Sequence, residues 1–424
     1  MTLANHITKE PVLKIGIILP EDNQSHCRIN VPSNQSKSLD IYINSGQLLV
    51  DGKKYSEFRI TGSDSLSTGT ALRVESIIAG RGFHWQKNIS MAFPGSLLFR
   101  VVDDTLLVIN EVLLEQYLSC VATSEMGADC PEALIQAQTI VARSFILANS
   151  EKKHESLGFD FCNDDCCQRY HGIDGLSDHS LSGSIVTRGQ VPIYNNTICD
   201  TRYSKSCGGM IESFSAVWNA PNPSYFQVKR DILPDGGTKI DLSKGTQLVR
   251  WIEDPPTSFC SPDNIPEKSL IRYLGGVDEK GSYFRWDYSC DQSELVALVN
   301  TASGLSFSAI LSMDIQKRGG SGRITRLTIN GLDHNEHSIQ LPLNSEYEIR
   351  RHLHKGFLYS SAFIMTTRGR KNDIPQSFHF RGAGWGHGAG LCQIGALGMA
   401  LKGYLADDII RHYYPGSKLV KLYE

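Results

Sequence analysis

Four short segments of this 424-residue chain carry side chains whose types and spacing could do chemistry. The first, SEMGADCPEALIQAQTIVARSF, offers Glu125. A carboxyl group that protonates a glycosidic oxygen needs a raised pKa, and desolvation in a cleft provides one. The bland alternative is a carboxylate that caps or salt-bridges a helix end. The second segment, HESLGFDFCNDDCCQRY, brings His154, Cys162, Cys166 and Cys167 within fourteen residues. Thiolates and imidazole suit Zn²⁺. The spacing is not the paired C-x-x-C of a zinc ribbon, so a disulfide or free thiols stand beside that reading.

The third segment is YSKSCGGMIES, followed by Trp218. Small and hydroxyl residues beside Gly208 and Gly209 let backbone approach a substrate, or simply end a strand. In the fourth, FRGAGWGHGAGLCQIGA, glycine occupies every second position from Gly382 to Gly390 around Trp385 and His387. A flat ribbon of this kind could stack a sugar ring on the indole. It could also be a structural ribbon with His387 as a hydrogen-bonded core histidine. It is no phosphate loop, because no Lys-Ser or Lys-Thr follows. No G-x-S-x-G elbow and no H-E-x-x-H occurs.

The elements that must position these groups are legible in part. The first 100 or so residues read as strands, with Val12 to Leu19, Leu39 to Ile43 and Gly46 to Val50 as β-prone pieces. Leu97 to Ile109 reads as a hairpin turning at Asp103-Asp104. Leu114, Tyr117, Leu118 and Val121 predict a helix over Glu111 to Thr123. Pro131 opens a second, with Leu134, Ala137, Val141, Phe145 and Ala148 as its buried stripe. Glu125 is then expected in the loop between them. Residues 221–266 are dense in proline and turns and read as irregular. Ser293 to Thr301 is a short helix stopped by Gly304, and GRITRLTING a strand. Helices near Gln393 to Lys402 and Asp407 to Tyr414 close the chain. The expected fold class is α+β. A β-rich subdomain (1–95) precedes a helical core in two parts (96–220 and 311–424), divided by an inserted segment (221–310).

Composition narrows the partners. A net charge of −3 gives no pull toward nucleic acid, and the basic run Arg368 to Lys371 reads as a solvated turn. No apolar run approaches the roughly 18 residues of a membrane span. The N-terminal stretch lacks the form of a signal peptide, which leaves a mature form or another export route. Eleven cysteines, an odd count, cannot all pair within the chain, and five of them (Cys162, Cys166, Cys167, Cys199 and Cys207) crowd one region.

In this order the motifs resemble the SpoIID/LytB family, named for stage II sporulation protein D and the amidase enhancer LytB. The resemblance runs through EVLLEQYLSCVATSEM, PEALIQAQTIVARSF, CNDDCCQRYHG, YSKSCGGMIES, GRITRLTING, FRGAGWGHGAGLCQIGALGMA and IIRHYYPG. It covers roughly 95–220 and 310–420. It implies a lytic transglycosylase acting on denuded glycan strands of peptidoglycan, with Glu125 as the general acid/base. Such an enzyme needs only one carboxyl group, because the C6 hydroxyl of the muramyl sugar is the nucleophile and the product is a 1,6-anhydro sugar. Arg143, Gln168, Tyr170, Tyr203, Ser204, Trp385 and His387 are the implied substrate contacts. The resemblance also implies a structural Zn²⁺ held by His154, Cys162 and Cys167, with Cys166 standing where the family often has His. It further implies an extracytoplasmic, cell-envelope location. Other members are described as amidase enhancers. The alternative is therefore a non-enzymatic glycan-binding protein that stimulates a cell-wall amidase.

Overall fold

The computed structural model describes residues 7–32, 37–83, 86–149, 151–218, 220–233, 240–274 and 281–424. Helices and strands intermix along the chain, an α+β fold as expected. No helix among the described residues is long and apolar enough to cross a membrane. The chain forms two compact units. One comprises Met1–Asp200, Arg272–Glu279 and Lys418–Glu424, and the other Thr201–Ile271 and Lys280–Ser417.

In the first unit, a six-stranded antiparallel sheet runs in the order Lys53–Tyr55, Gln47–Val50, Lys37–Asn44, His26–Val31, Leu72–Ala79, Lys87–Phe93. A five-stranded sheet has Val12–Ile18 between Phe161–Cys162 and Thr105–Leu113, with Ser96–Val102 and Glu57–Ile60 beyond. The expected hairpin is present. Val102 pairs with Thr105, and Asp103 and Asp104 take φ of 48° and 58°, the left-handed pair that a tight two-residue turn requires. Helix α1 spans Leu114–Glu125, α2 spans Glu132–Ala148 and α3 spans Asp178–Val186.

Two details depart from expectation. Glu111 stays in the strand, paired with Ser96 and Lys14, because the ladder claims its backbone before the helical pattern can. Glu125 is the last residue of α1 and not part of a loop. The Ser124 hydroxyl donates to the Cys120 carbonyl (2.8 Å) and the Met126 amide to Ala122 (3.1 Å), extending the last turn. Helix α2 starts immediately after Pro131, whose missing N–H costs nothing there.

The centre of this helical layer is ionic. Fully buried Arg143 of α2 donates to both carboxylate oxygens of Glu115 on α1, at 2.9 and 2.6 Å. Its remaining donors reach the Gln190 carbonyl (3.0 Å) and the Thr187 hydroxyl (3.3 Å). Glu115 Oε1 also accepts the Tyr423 hydroxyl (2.7 Å) and the Gly189 amide (3.2 Å). Buried ions persist only when their hydrogen-bonding capacity is filled in this way.

In the second unit, two three-stranded antiparallel sheets, Arg285–Asp291/Ile374–Ala383/Phe363–Lys371 and Phe307–Arg318/Ile324–Asp333/Ser338–Leu343, build a common apolar core. The segment expected to be irregular contains a helix, α5 (Gly245–Glu253), with α4 (Phe214–Trp218) before it and α6 (Glu267–Leu274, whose end belongs to the first unit) directly after it. Leu248, Trp251 and Ile252 of α5 bury an apolar stripe that proline counting hid. Helix α7 (Gln292–Ser303) ends at Gly304 with φ of 72°. Helices α8 (Glu346–Leu353), α9 (Gln393–Leu401) and α10 (Ala406–Tyr413) follow. Arg368 to Lys371 lies in a strand and not a turn.

Replacing Arg143 by Met leaves the Glu115 carboxylate buried and uncompensated, an expected loss of about 3–5 kcal/mol in urea unfolding. The double variant E115L–R143M is expected to lose less than R143M alone, since it removes both charges.

Candidate functional site

In the first unit the site is the end of α1 with the loop that folds onto it. Glu125 is 7% exposed, and its Oε1 accepts the backbone amide of Arg169 at 3.0 Å. In the next two residues, the Tyr170 amide donates to the Asn163 carbonyl (3.1 Å) and the His171 amide to Ser124 Oγ (3.1 Å). The Arg169 side chain turns back to Asp165 (2.6 Å). Arg81 clamps the same loop, donating from its amide to Asp164 (2.7 Å) and from its guanidinium to Asn163 (2.9 Å) and Asp22 (2.7 Å). The loop therefore presents its backbone to Glu125 from a fixed support.

The same loop carries the thiols. Strand Phe161–Cys162 adds in parallel to Val12–Ile18, which sets Cys162 in the sheet edge and leaves Cys166 and Cys167 in the following turn. One ligand atom each from His154, Cys162, Cys166 and Cys167 lie within 4.8 Å of one another. Cys167 Sγ is 3.5 Å from His154 Nε2, and the His154 ring stacks on Phe159. Tetrahedral zinc with Zn–S of about 2.3 Å separates its ligands by about 3.5–3.8 Å, so the donor set fits. Hydrogen bonding from Cys162, and then from Cys167 and His154, pulls the Cys166 thiol far below its usual range, while Cys162 is pushed up by the same contacts. The set includes Cys166, which the sequence reading treated as a departure.

Three residues expected to touch substrate lie inside the fold. Arg143 is committed to Glu115. Gln168 accepts the Tyr117 hydroxyl (3.1 Å) and donates to the Ala142 carbonyl (3.3 Å), tying α1 to α2. Tyr170 is fully buried, with its hydroxyl on Asn110 (2.8 Å) and its ring against Phe93 and Tyr117. Their polar atoms serve the scaffold that aims Glu125.

Tyr203, Ser204, Trp385 and His387 are brought together in the second unit. Tyr203–Ser204 pairs in parallel with Leu391–Cys392, and Ser204 Oγ accepts the Gly388 amide at 3.2 Å. The glycine segment is not flat: Gly384, Gly386, Gly388 and Gly390 all take left-handed φ, between 72° and 91°. Its curl wraps a buried Arg323, which donates to the Gly386 carbonyl (3.2 Å) and the Ser321 hydroxyl (3.0 Å). A Cβ on Gly388 would lie 2.2 Å from Arg323 Cζ. Trp385 stacks on Tyr359 (centroids 4.5 Å apart) and tilts against Tyr283. His387 Nδ1 accepts the Ala389 amide (3.1 Å), and Trp218 meets the ring edge-on. Burial first, and then the charges of Arg323, Arg350 and Arg202, lower the His387 pKa to about 3, so the ring is neutral at physiological pH. Arg323 was not singled out in the sequence, because one arginine at the start of an alternating strand reads as an outward charge.

The stage II sporulation protein (SpoIID) family model matches residues 102–194, which span α1, α2, α3 and the thiol loop. Residues 212–390 match a domain of unknown function, DUF8618. An uncharacterized protein of Brachyspira hyodysenteriae is 23% identical over 328 residues, covering 77% of this chain and 72% of that relative. The amidase enhancer of Bacillus subtilis is 23% identical over 308 residues, covering 71% of this chain but only 40% of that protein.

Gly388→Ala combines a left-handed backbone, worth about 1–2 kcal/mol, with a clash against buried Arg323. Gly403→Ala shares the left-handed φ but has nothing within 4 Å of the added methyl. The first is expected to lower the thermal midpoint clearly more than the second, measured side by side by calorimetry.

Proposed function

We propose that this chain, whose residues 102–194 match the SpoIID family model, acts on the glycan strands of bacterial peptidoglycan at the cell envelope, cleaving them with Glu125 as general acid and then general base. The observation that carries this reading is the Glu125 carboxyl group, buried at the end of α1 and held by the Arg169 amide at 3.0 Å. A rigid carboxyl of this kind can donate a proton to the glycosidic oxygen as the bond to the anomeric carbon breaks. The same carboxylate then accepts the proton of the muramyl C6 hydroxyl as that oxygen closes on the anomeric carbon. Proximity of the internal nucleophile removes the need for a second carboxylate. The product is a 1,6-anhydro sugar.

Zinc, in this proposal, is structural. Four protein ligands would close the coordination shell of a Zn²⁺ held by His154, Cys162, Cys166 and Cys167, and bound there it would pin the loop. The loop's own residues do the positioning: the Arg169 amide orients Glu125, and Arg81 keeps the loop seated.

A second reading is favoured by the Bacillus subtilis relative, which is called an amidase enhancer. In it the chain binds glycan and stimulates a cell-wall amidase without cutting. Chromatography of muropeptides from denuded glycan separates the two. Wild type is expected to release anhydromuramyl fragments and Glu125→Gln to release at least about a hundredfold less. Equal release by both proteins excludes Glu125 as the acid. If neither releases fragments yet both stimulate an amidase, the second reading holds.

The metal is tested separately by zinc analysis of protein purified without chelator. Cys162→Ser–Cys166→Ser is expected to bind one zinc fewer per chain than wild type and to show lower muropeptide release through a mobile loop. An unchanged zinc content would dismiss the cluster as a metal site.

A further inference from the structure

The second unit holds a group of ligand-type side chains that neither the mechanism nor the resemblance uses. Cys207 follows Tyr203–Ser204, Asp231 follows strand Lys229–Arg230, Cys260 lies beyond α5, and Cys392 caps α9. All four are buried, and one ligand atom from each lies within 4.8 Å of the others. We propose that Cys207, Asp231, Cys260 and Cys392 form a metal site for a divalent cation of the zinc class.

The distances match coordination rather than simple packing. Cys207 Sγ lies 3.6 Å from Cys260 Sγ and 3.4 Å from Asp231 Oδ2. Sulfur–sulfur and sulfur–oxygen edges of a tetrahedral zinc site are about 3.8 and 3.5 Å. The two oxygens of Asp231 divide their duties. Oδ1 accepts the Tyr413 hydroxyl (2.8 Å) and contacts His412 Nε2 (3.3 Å), while Oδ2 faces the sulfurs. This is the arrangement of a monodentate carboxylate ligand oriented by outer partners. Cys392 Sγ accepts two backbone amides, from Cys207 (3.2 Å) and from Gly395 in the first turn of α9 (3.3 Å), which fix the sulfur beside the other three ligand atoms. The Phe259 amide donates to the Asp231 carbonyl (2.7 Å), so two ligand-bearing segments are also joined through backbone.

Three thiolates and a carboxylate around a divalent cation leave net negative charge in a buried place, which is costly unless cations stand nearby. Lys229 and Arg285 supply them: Lys229 donates to the carbonyl of His412, whose ring contacts Asp231, and Arg285 donates to the Gly208 carbonyl (3.0 Å) beside Cys207. A disulfide would use two of the sulfurs and leave the third and the carboxylate without purpose. None of the eleven cysteines is bridged. The metal would tie together segments from across the unit, including the residue that follows Gly390 and Leu391 at the end of the glycine curl.

The test uses the full chain carrying C162S and C166S, so that the His154 cluster does not contribute, purified without chelator. Zinc is titrated against a chromophoric chelator, and Co²⁺ is substituted to read thiolate charge transfer. The proposal expects one zinc per chain and a strong near-ultraviolet Co²⁺–thiolate band, both lost on adding Cys260→Ala. Asp231→Asn is expected to keep the band and weaken zinc binding at least about tenfold. Should the Cys260 variant fail to fold, the Asp231→Asn affinity decides, and an unchanged value overturns the site. So does zinc that persists without Cys260. A parent protein that binds no zinc, with a disulfide among Cys207, Cys260 and Cys392 by non-reducing peptide mass analysis, overturns it too.

Discussion

A carboxylate cannot be both buried and well aimed unless something polar comes to meet it. In the first unit a backbone amide meets it, the N–H of Arg169 on Glu125. The amide is available because the loop before it is fastened at several points. Cys162 is held in the sheet edge, Asn163 and Asp164 are clamped by Arg81, and the Arg169 side chain folds back on Asp165. A backbone donor suits this purpose, since it has no rotamers of its own and moves only with its loop.

The helices answer the same demand from the other side. Helix α1 carries Glu115 near its start and Glu125 at its end, and the bidentate bond from Arg143 sets its position against α2. Gln168 bridges Tyr117 and the Ala142 carbonyl, and Tyr170 closes on Asn110. These are residues to which the resemblance assigns substrate contacts. Their chemistry is polar and their spacing close to the acid, but a polar side chain between packed helices meets protein first. The second unit repeats the theme with Arg323, whose guanidinium is enclosed by a glycine curl that only residues without a Cβ can form.

Cysteine arrangement separates local from distant information. His154, Cys162, Cys166 and Cys167 were legible as one group because a short loop must keep them close. Cys199 and Cys207 looked like neighbours of that group. In the fold Cys199 is buried and belongs to neither group, while Cys207 joins Asp231, Cys260 and Cys392. Cys207 and Cys260 are 53 positions apart, and Cys207 and Cys392 are 185 apart. No spacing rule links residues at such separations.

By itself the sequence determined what local physics determines. The Asp103-Asp104 turn, the start of α2 after Pro131, the stop of α7 at Gly304, the closing helices and the α+β class follow from backbone preferences and apolar periods that act over a few residues. The ordered motifs also carried the resemblance to the SpoIID family, whose model matches residues 102–194. Tertiary structure alone decided where α1 begins, because strand pairing claimed the backbone of Glu111 to Leu113. It alone decided that Arg143, Gln168 and Tyr170 serve the core, that the glycine ribbon curls around Arg323, and that four distant residues meet at one point. Those outcomes depend on which surfaces are packed together, and the free energy of such contacts is carried by pairs of residues that the linear order does not relate.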